Sequence, residues 1–225
     1  MAKLTWDLDG KRLYETGADQ GVLFVVGNTG YGAGVAWDGL TGISENPDGA
    51  ASTPKFANNN KYGNLISAEN FKATISAFTY PTEWEACDGS ASDATTAPGV
   101  YTTGQNRKQF GLSYRTLIGN DVKGMDFGYV LHLVYGATAA PSKRENVTVN
   151  DTPDMTQLSW DITTVGVPVP NLRASAHIKI KSTEVDAAKL KALEAILYGS
   201  DAEGDTGLPR LTMPEEVMTL LKKTA

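Results

Sequence analysis

The side chains best suited to covalent or metal chemistry are few here, and their spacing limits what they can do. There are two histidines, His132 and His177, and one cysteine, Cys87. His132 lies in the apolar run "DFGYVLHLVY" and His177 on the polar side of "RASAHIKIK". Neither has an acid at ligand spacing nearby, so they read as a satisfied core histidine and a solvent-facing one, and no metal is expected. A single cysteine excludes an internal disulfide framework and a cysteine-based zinc cluster. Glu83 and Glu85 in "PTEWEACDG" fall on one side of an extended segment like a carboxylate pair. Glycosidase pairs face each other across a cleft, so these read as solvated acids at a strand end.

The stretch Val22 to Gly34, "VLFVVGNTGYGAG", runs from apolar residues into glycines as a dinucleotide-binding turn does. After Gly30 and Gly32, however, the third glycine would have to stand where Val35 is. The following "VAWDGLTGISENPDG" has no helical period to place a helix N-terminus at a pyrophosphate, so no cofactor is expected. Trp37, Trp84 and Trp160 would stack on sugars if they were exposed together; spread along the chain, they read as core and interface residues. Asn146-Val-Thr148 and Asn150-Asp-Thr152 would accept glycans only in a secreted chain and read as polar loop residues. No nucleophile, base and oxyanion donor stand at readable spacing, so the expectation is a protein that is not an enzyme.

The elements around these residues are mostly strands. "FKATISAFTY" puts Phe71, Ala73, Ile75 and Ala77 on one side and stops at Pro81. "RKQFGLSYRTLIG" alternates Phe110, Leu112, Tyr114 and Ile118 against Gln109, Ser113 and Arg115. In "DFGYVLHLVY" both sides are apolar, which marks a central strand buried on both faces. "MTQLSWDITTVGVPV" sets Leu158, Trp160 and Ile162 against a water-facing row of Gln157, Ser159, Asp161 and Thr163. "RASAHIKIK" repeats the one-sided pattern over Arg173 to Lys181, with Lys179 and Lys181 outward. "GSASDATTAPG", Gly89 to Gly99, is a long surface loop.

One good helix follows, at about residues 184–198. Thr183 or Asp186 can cap it, Gly199 can end it, and Leu190, Leu193, Ile196 and Leu197 form its apolar stripe. Asp186 with Lys189, and Lys191 with Glu194, are spaced for weak solvent-side pairs. "SDAEGDTG" reads as flexible and acidic, and a short C-terminal helix starts at Pro214. The expected fold is mainly β, a two-sheet β-sandwich or barrel with one flanking helix, in a single domain over 1–225. Within it, 1–20 is an N-terminal arm, 44–64 a long loop, 65–182 the β core, 183–199 the helix and 200–225 a C-terminal arm.

The chain has 225 residues, enough for an ordinary core, with 26 acidic against 20 basic side chains and a formal charge of −6. That balance argues against tight phosphate-backbone binding. No apolar run is long enough for a membrane span, and "MAKLTWDLDG" lacks the basic-then-apolar build of a secretion signal, so the chain is expected to stay in the cytoplasm where it is made.

Taken together, "GVAWDGLTGISENPDGA" (Gly34 to Ala50), "KYGNLISAENFKATISAFTYPTEWEACDG" (Lys61 to Gly89), "GQNRKQFGLSYRTLIGND" (Gly104 to Asp121) and "TQLSWDITTVGVPV" (Thr156 to Val169) resemble the major tail tube proteins of long, non-contractile-tailed bacteriophages. The resemblance lies in the order of the segments, not in one chemical signature, and it is weakest at the N-terminus and after Gly199.

It implies a virion structural protein, assembled in the host cytoplasm. Six subunits would join edge to edge into a homo-hexameric ring, and the rings would stack into a tube around tape-measure protein. Tail-end proteins would close the tube, and DNA would later pass through it. An acidic wall suits a conduit that must not hold phosphate. The water-facing Gln157, Ser159, Asp161 and Thr163 are the candidate lumen lining. The loop carrying Pro47, Lys55, Asn58, Asn59 and Lys61 is the candidate contact between rings. A phage-derived particle that is not a virus would use the same parts. A carbohydrate-binding or adhesin-like β-sandwich is the rival reading.

Overall fold

The computed structural model of the protein describes residues 3–49, 51–93, 95, 97–148, 151, 154–200 and 207–223. Alternation of apolar residues dictates the main elements, and the fold is mainly β. The strands are β1 Leu13–Gly27, β2 Gly30–Ala36, β3 Leu40–Glu45, β4 Asp48–Gly49, β5 Ser52–Ala57, β6 Asn60–Ile66, β7 Glu69–Asn70, β8 Lys72–Ala77, β9 Ser90–Ala91, β10 Thr102–Thr103, β11 Phe110–Asn120, β12 Gly124–Ala139, β13 Leu158–Thr164 and β14 His177–Lys181. The helices are α1 Glu85–Asp88, α2 Ala187–Tyr198 and α3 Pro214–Leu220.

Eight strands form one antiparallel sheet in the order β2-β1-β11-β12-β13-β8-β3, with β14 also on β12. The long strand β12 serves two partners in turn: Val130 to Val134 pair with β14, and Ala137 to Ala139 pair with β13. The handover falls at Gly136, whose φ is +57° and where a Cβ would come within 2.5 Å of the Val165 carbonyl oxygen, so only glycine fits. There the sheet folds over, and β13, β8 and β3 face β1, β11 and the end of β12 across an apolar interior. Leu23, Trp84, Phe110, Leu112, Ile75 and Ile162 fill it and are wholly buried. At about 1.5–3 kcal/mol for each large side chain buried, this layer is a principal stabiliser of the fold.

The opposite face of β12 and β14 carries a second apolar layer, in which Leu131, Leu133 and Ile180 meet Leu190, Leu193 and Leu197 of α2. β12 is thus buried on both faces, as its double alternation predicts. Asp186 caps α2 by accepting from the amides of Ala188 and Lys189, both at 3.1 Å. Glu194 likewise accepts from the Tyr129 hydroxyl at 2.6 Å. Gly199 follows the helix at φ +85°. Past it, Pro209 accepts a backbone hydrogen bond from Gly34, and Val217 of α3 joins the outer layer.

Several expected boundaries move. Residues Leu13 to Gln20, expected in an arm, are the first half of β1 and pair with β11 from Leu13↔Asn120 onward. The sheet therefore begins at β1 and not at residue 65. The strand expected over Arg173 to Lys181 starts only at His177, because Ser175 is held in an isolated bridge to Val167. Glu83 stands in a turn of 3-10 helix, Thr82–Trp84, and Glu85 begins α1, so they are not side by side on an extended segment. The chief correction concerns 44–64. Polar residues without a buried face read as a loop, but the chain forms strands there: β4 pairs β7 and β5 pairs β6, making a two-stranded ribbon. Residues 201–206, read as flexible and acidic, lie outside the described residues.

Candidate functional site

The ribbon is the most exposed part of the β structure. Asn58 and Asn59 form its tip with φ of +49° and +61°, the left-handed pair that a tight hairpin turn requires and that asparagine tolerates. Every residue of β5 and β6 is exposed, including Phe56 at 68% and Tyr62 at 84%, along with Leu65 and Ile66. Pro47, Lys55, Asn58, Asn59 and Lys61 all stand in water on this ribbon or its root. Large apolar groups thus gather on one projecting element with no layer of the described residues against them, the kind of exposed patch in which contact surfaces are rich. At its base Lys72 meets Asp48 at 2.6 Å, and the Asn46 amide donates to the Lys72 carbonyl at 2.7 Å.

The ribbon's two roots enter β3 and β8, which are neighbours in the sheet. Beside those strands lies β13, whose Gln157, Ser159, Asp161 and Thr163 share one water-exposed face, Gln157 immediately preceding the strand. Register continues the face through β8 and β3: Asp161 stands opposite Thr74, and Thr74 opposite Ser44. The Thr74 hydroxyl donates to Asp161 at 2.7 Å, and the Gln157 amide to the Thr41 hydroxyl at 2.9 Å. The surface is hydroxyl-rich, with Asp161 set among small polar groups.

Strand pairing also joins residues that sequence spacing keeps apart. His132 and His177 are cross-strand neighbours on β12 and β14, and His132 Nδ1 lies 3.0 Å from His177 Nε2. The ring centroids are 5.2 Å apart and the planes 17° from parallel. That separation is close to the gap between the nitrogens plus two ring radii, so the rings lie end to end and one hydrogen bond joins them, its direction set by the tautomers. Thr116 Oγ1 is 3.0 Å from the other nitrogen, His132 Nε2, and Tyr114 stacks on the His132 ring at 4.4 Å. Glu45, at the end of β3, brings Oε1 to 3.3 Å from His132 Nδ1. Its carboxylate also accepts from Tyr114 at 2.9 Å and from Lys179 at 2.8 Å.

Three donor atoms of Glu45, His132 and His177 lie within 4.8 Å of one another. Because the two facing nitrogens aim at each other and not at a common point, the arrangement is a hydrogen-bond relay, not a coordination sphere. Burial lowers both imidazoles to about 4, against the pull of Glu45, with Lys179 adding to the lowering. Burial would raise the Glu45 carboxyl, but the Lys179 hydrogen bond, nearby positive charge and the Tyr114 hydroxyl together hold it below the ordinary range. The sequence reading of His177 as solvent-facing is therefore corrected: it is half-buried and bonded to His132. Glu45 escaped notice because only the β3–β8 and β12–β14 pairings bring it there.

The other candidates separate. Trp37, Trp84 and Trp160 meet in the core, with centroids 4.7, 5.9 and 5.3 Å apart pairwise, and all are buried. Cys87 is buried beside them, and burial pushes its thiol up to about 12. Val22 to Gly34 forms the β1–β2 hairpin, turning at Gly27↔Gly30, and offers no helix N-terminus. Asn146 and Thr148 are exposed outside any strand or helix; Asn150 and Thr152 lie outside the described residues. Among the described residues, no helix is long and apolar enough to cross a membrane.

Neither protein-family models nor curated proteins give a match to this sequence.

Proposed function

We propose that the chain is a self-assembling structural subunit of the tail-tube type, found in long, non-contractile phage tails: hexameric rings that stack into a conduit for DNA. The observation that carries this reading is the projecting ribbon, whose apolar side chains have no partner layer in a monomer. The sheet adds to it. Among the described residues β2 and β3 end the strand order and β14 pairs with β12 alone; Gly34 of β2 already donates to Pro209, so β3 and β14 are the edges that a neighbouring subunit can pair. A cyclic head-to-tail contact would pair such edges around a ring and close.

In this reading the ribbon with Pro47, Lys55, Asn58, Asn59 and Lys61 reaches an adjacent ring. The hydroxyl-rich face with Gln157, Ser159, Asp161 and Thr163 lines the channel; Lys72, opposite Thr163 on this face, is paired with Asp48, so the wall holds a polyanion weakly and lets it slide. Tape-measure and tail-end proteins would be the partners, and the virion tail the location. The carbohydrate-binding alternative calls for an exposed aromatic platform; Trp37, Trp84 and Trp160 lie in the core and do not supply one.

Negative-stain electron microscopy of concentrated purified protein, with sedimentation on the same sample, tests the reading. Annular particles or hollow tubes of uniform width are expected. A monomer at every concentration, and still a monomer with tape-measure protein added, would overturn it.

A further inference from the structure

Both roots of the ribbon end on the histidine pair. Glu45 precedes the ribbon and holds His132; Phe71 follows it and packs on the His177 ring with centroids 4.2 Å apart. The link between the roots, Asn46 amide to Lys72 carbonyl, lies next to both. The charged and titratable groups facing the pair are Glu45 from β3, Tyr114 from β11 and Lys179 from β14, with the Thr116 hydroxyl of β11 at the far nitrogen. A groove of about 660 Å³, lined in part by Glu69, Asn70, Phe71, Arg173 and His177, gives water a way to the pair from the ribbon's side.

We infer that the His132–His177 pair is an acid-releasable clamp on the two roots of the ribbon. Only one proton fits between the facing nitrogens. In the neutral pair it bridges them, and Glu45 and Phe71 close on a rigid, aligned unit. A first added proton can be taken at His132 Nε2, with the Thr116 hydroxyl turning from donor to acceptor, and the bridge survives beside Glu45. A second leaves N–H facing N–H, so the rings must part, Lys179 adds repulsion, and the Phe71 and Glu45 contacts go with them. The two steps belong to the pair and not to either ring. Opening at the roots frees the ribbon while the twin-layered centre of the sheet holds, because local opening follows local contacts. That this would loosen ring stacking rests on the function proposed above; the clamp itself is a property of the monomer.

The test therefore uses the monomeric chain. Amide exchange, corrected for the intrinsic rate, is followed at Asn46 and at Leu133 as an internal reference, at pH 7 and pH 4. Asn46 protection is expected to fall by at least about tenfold relative to Leu133 in the native protein, and to show no relative fall in His177→Gln. An unchanged ratio in the native chain, or an equal fall in the variant, would overturn the clamp. Should His177→Gln fail to fold, nitrogen-15 imidazole shifts of the native chain decide. Both rings should stay neutral to below pH 5, and a ring that titrates near pH 6.5 sinks the inference. So would a shift of both rings at pH 7 on adding one equivalent of zinc, which would make the cluster a coordination site. Since none of these readouts needs a ring or tube, the clamp and the assembly reading fail separately.

Discussion

Arg115 grips Asp19 with two parallel hydrogen bonds, Nε to Oδ1 at 3.0 Å and Nη2 to Oδ2 at 2.9 Å, across the β1–β11 pair. The register puts these residues directly opposite one another where β1 is irregular, between Asp19 and Val22. The guanidinium also lies 4.7 Å from the centre of the Tyr129 ring. The pair pins the kinked half of β1 to the sheet. Asp19→Ala removes a bidentate, partly buried carboxylate and should lower stability by about 1 kcal/mol, read as a drop of roughly 2–4 °C in the melting midpoint. An unchanged midpoint would mean that the β1 kink is held by backbone pairing alone.

Leu193 is the wholly buried centre of the stripe that α2 lays on β12 and β14. Leu193→Ala should cost about 2–5 kcal/mol in denaturant unfolding, the range for removing a leucine from a packed interior. The exposed Lys191→Ala is the control and should change stability by less than about 0.5 kcal/mol.

Cys87 combines complete burial with a thiol held far above its ordinary range. It should resist thiol-specific reagents at pH 8 in the folded protein and react within minutes once denatured. Prompt labelling of folded chain would show that the segment around α1 opens locally.

Stability should rise with pH between about 4 and 6.5 and level off above. His132 and His177 sit at about 4 in the fold against 6.5 as ordinary imidazoles, so in that window the unfolded chain binds more protons than the folded one. Their contribution is fully present above 6.5 and is lost as pH falls toward 4. Glu45, depressed in the fold, acts in the same direction at lower pH. Unfolding free energy should fall from pH 7 to pH 4 by about 3 kcal/mol for each histidine, on the order of 6 kcal/mol for the pair, and replacing both histidines by glutamine should flatten the slope. A slope of the opposite sign would contradict the buried relay.

On the ribbon, Phe56→Ser with Tyr62→Ser should leave monomer stability within about 0.5 kcal/mol, since neither side chain packs on the domain. The same change should abolish tubes in electron micrographs. Tubes of normal length from this double variant would take the ribbon out of the assembly contact.

How much of this was legible in the sequence follows from where each signal is stored. β8, β11, β12 and β13 announced themselves because each buries at least one face and so alternates: Ile75, Leu112, Leu133 and Ile162 stand where the period puts them. α2 was legible from its leucine stripe and its cap at Asp186. The ribbon was not, because strands exposed on both faces have no apolar period, and only the pairing of β5 with β6 defines them. The start of β1 was missed for a similar reason, Leu13 to Gln20 being largely polar and kinked at Gln20, whose φ is +49°. The histidine relay was invisible because Glu45, Tyr114, His132 and His177 come from four different strands, and no local spacing encodes their meeting.

The ribbon's entry into neighbouring strands has a mechanical side. A pull on its tip reaches the end of β3 and the start of β8 together, and both are drawn the same way along their axes. The resistance then comes from β13, which holds β8 through six consecutive pairs from Leu158↔Ala77 to Thr163↔Lys72. Hydrogen bonds that lie across the strands take such a load in shear, all at once, instead of opening one after another like a zipper. The protein thus meets tension on its most exposed element with its whole folded-over layer.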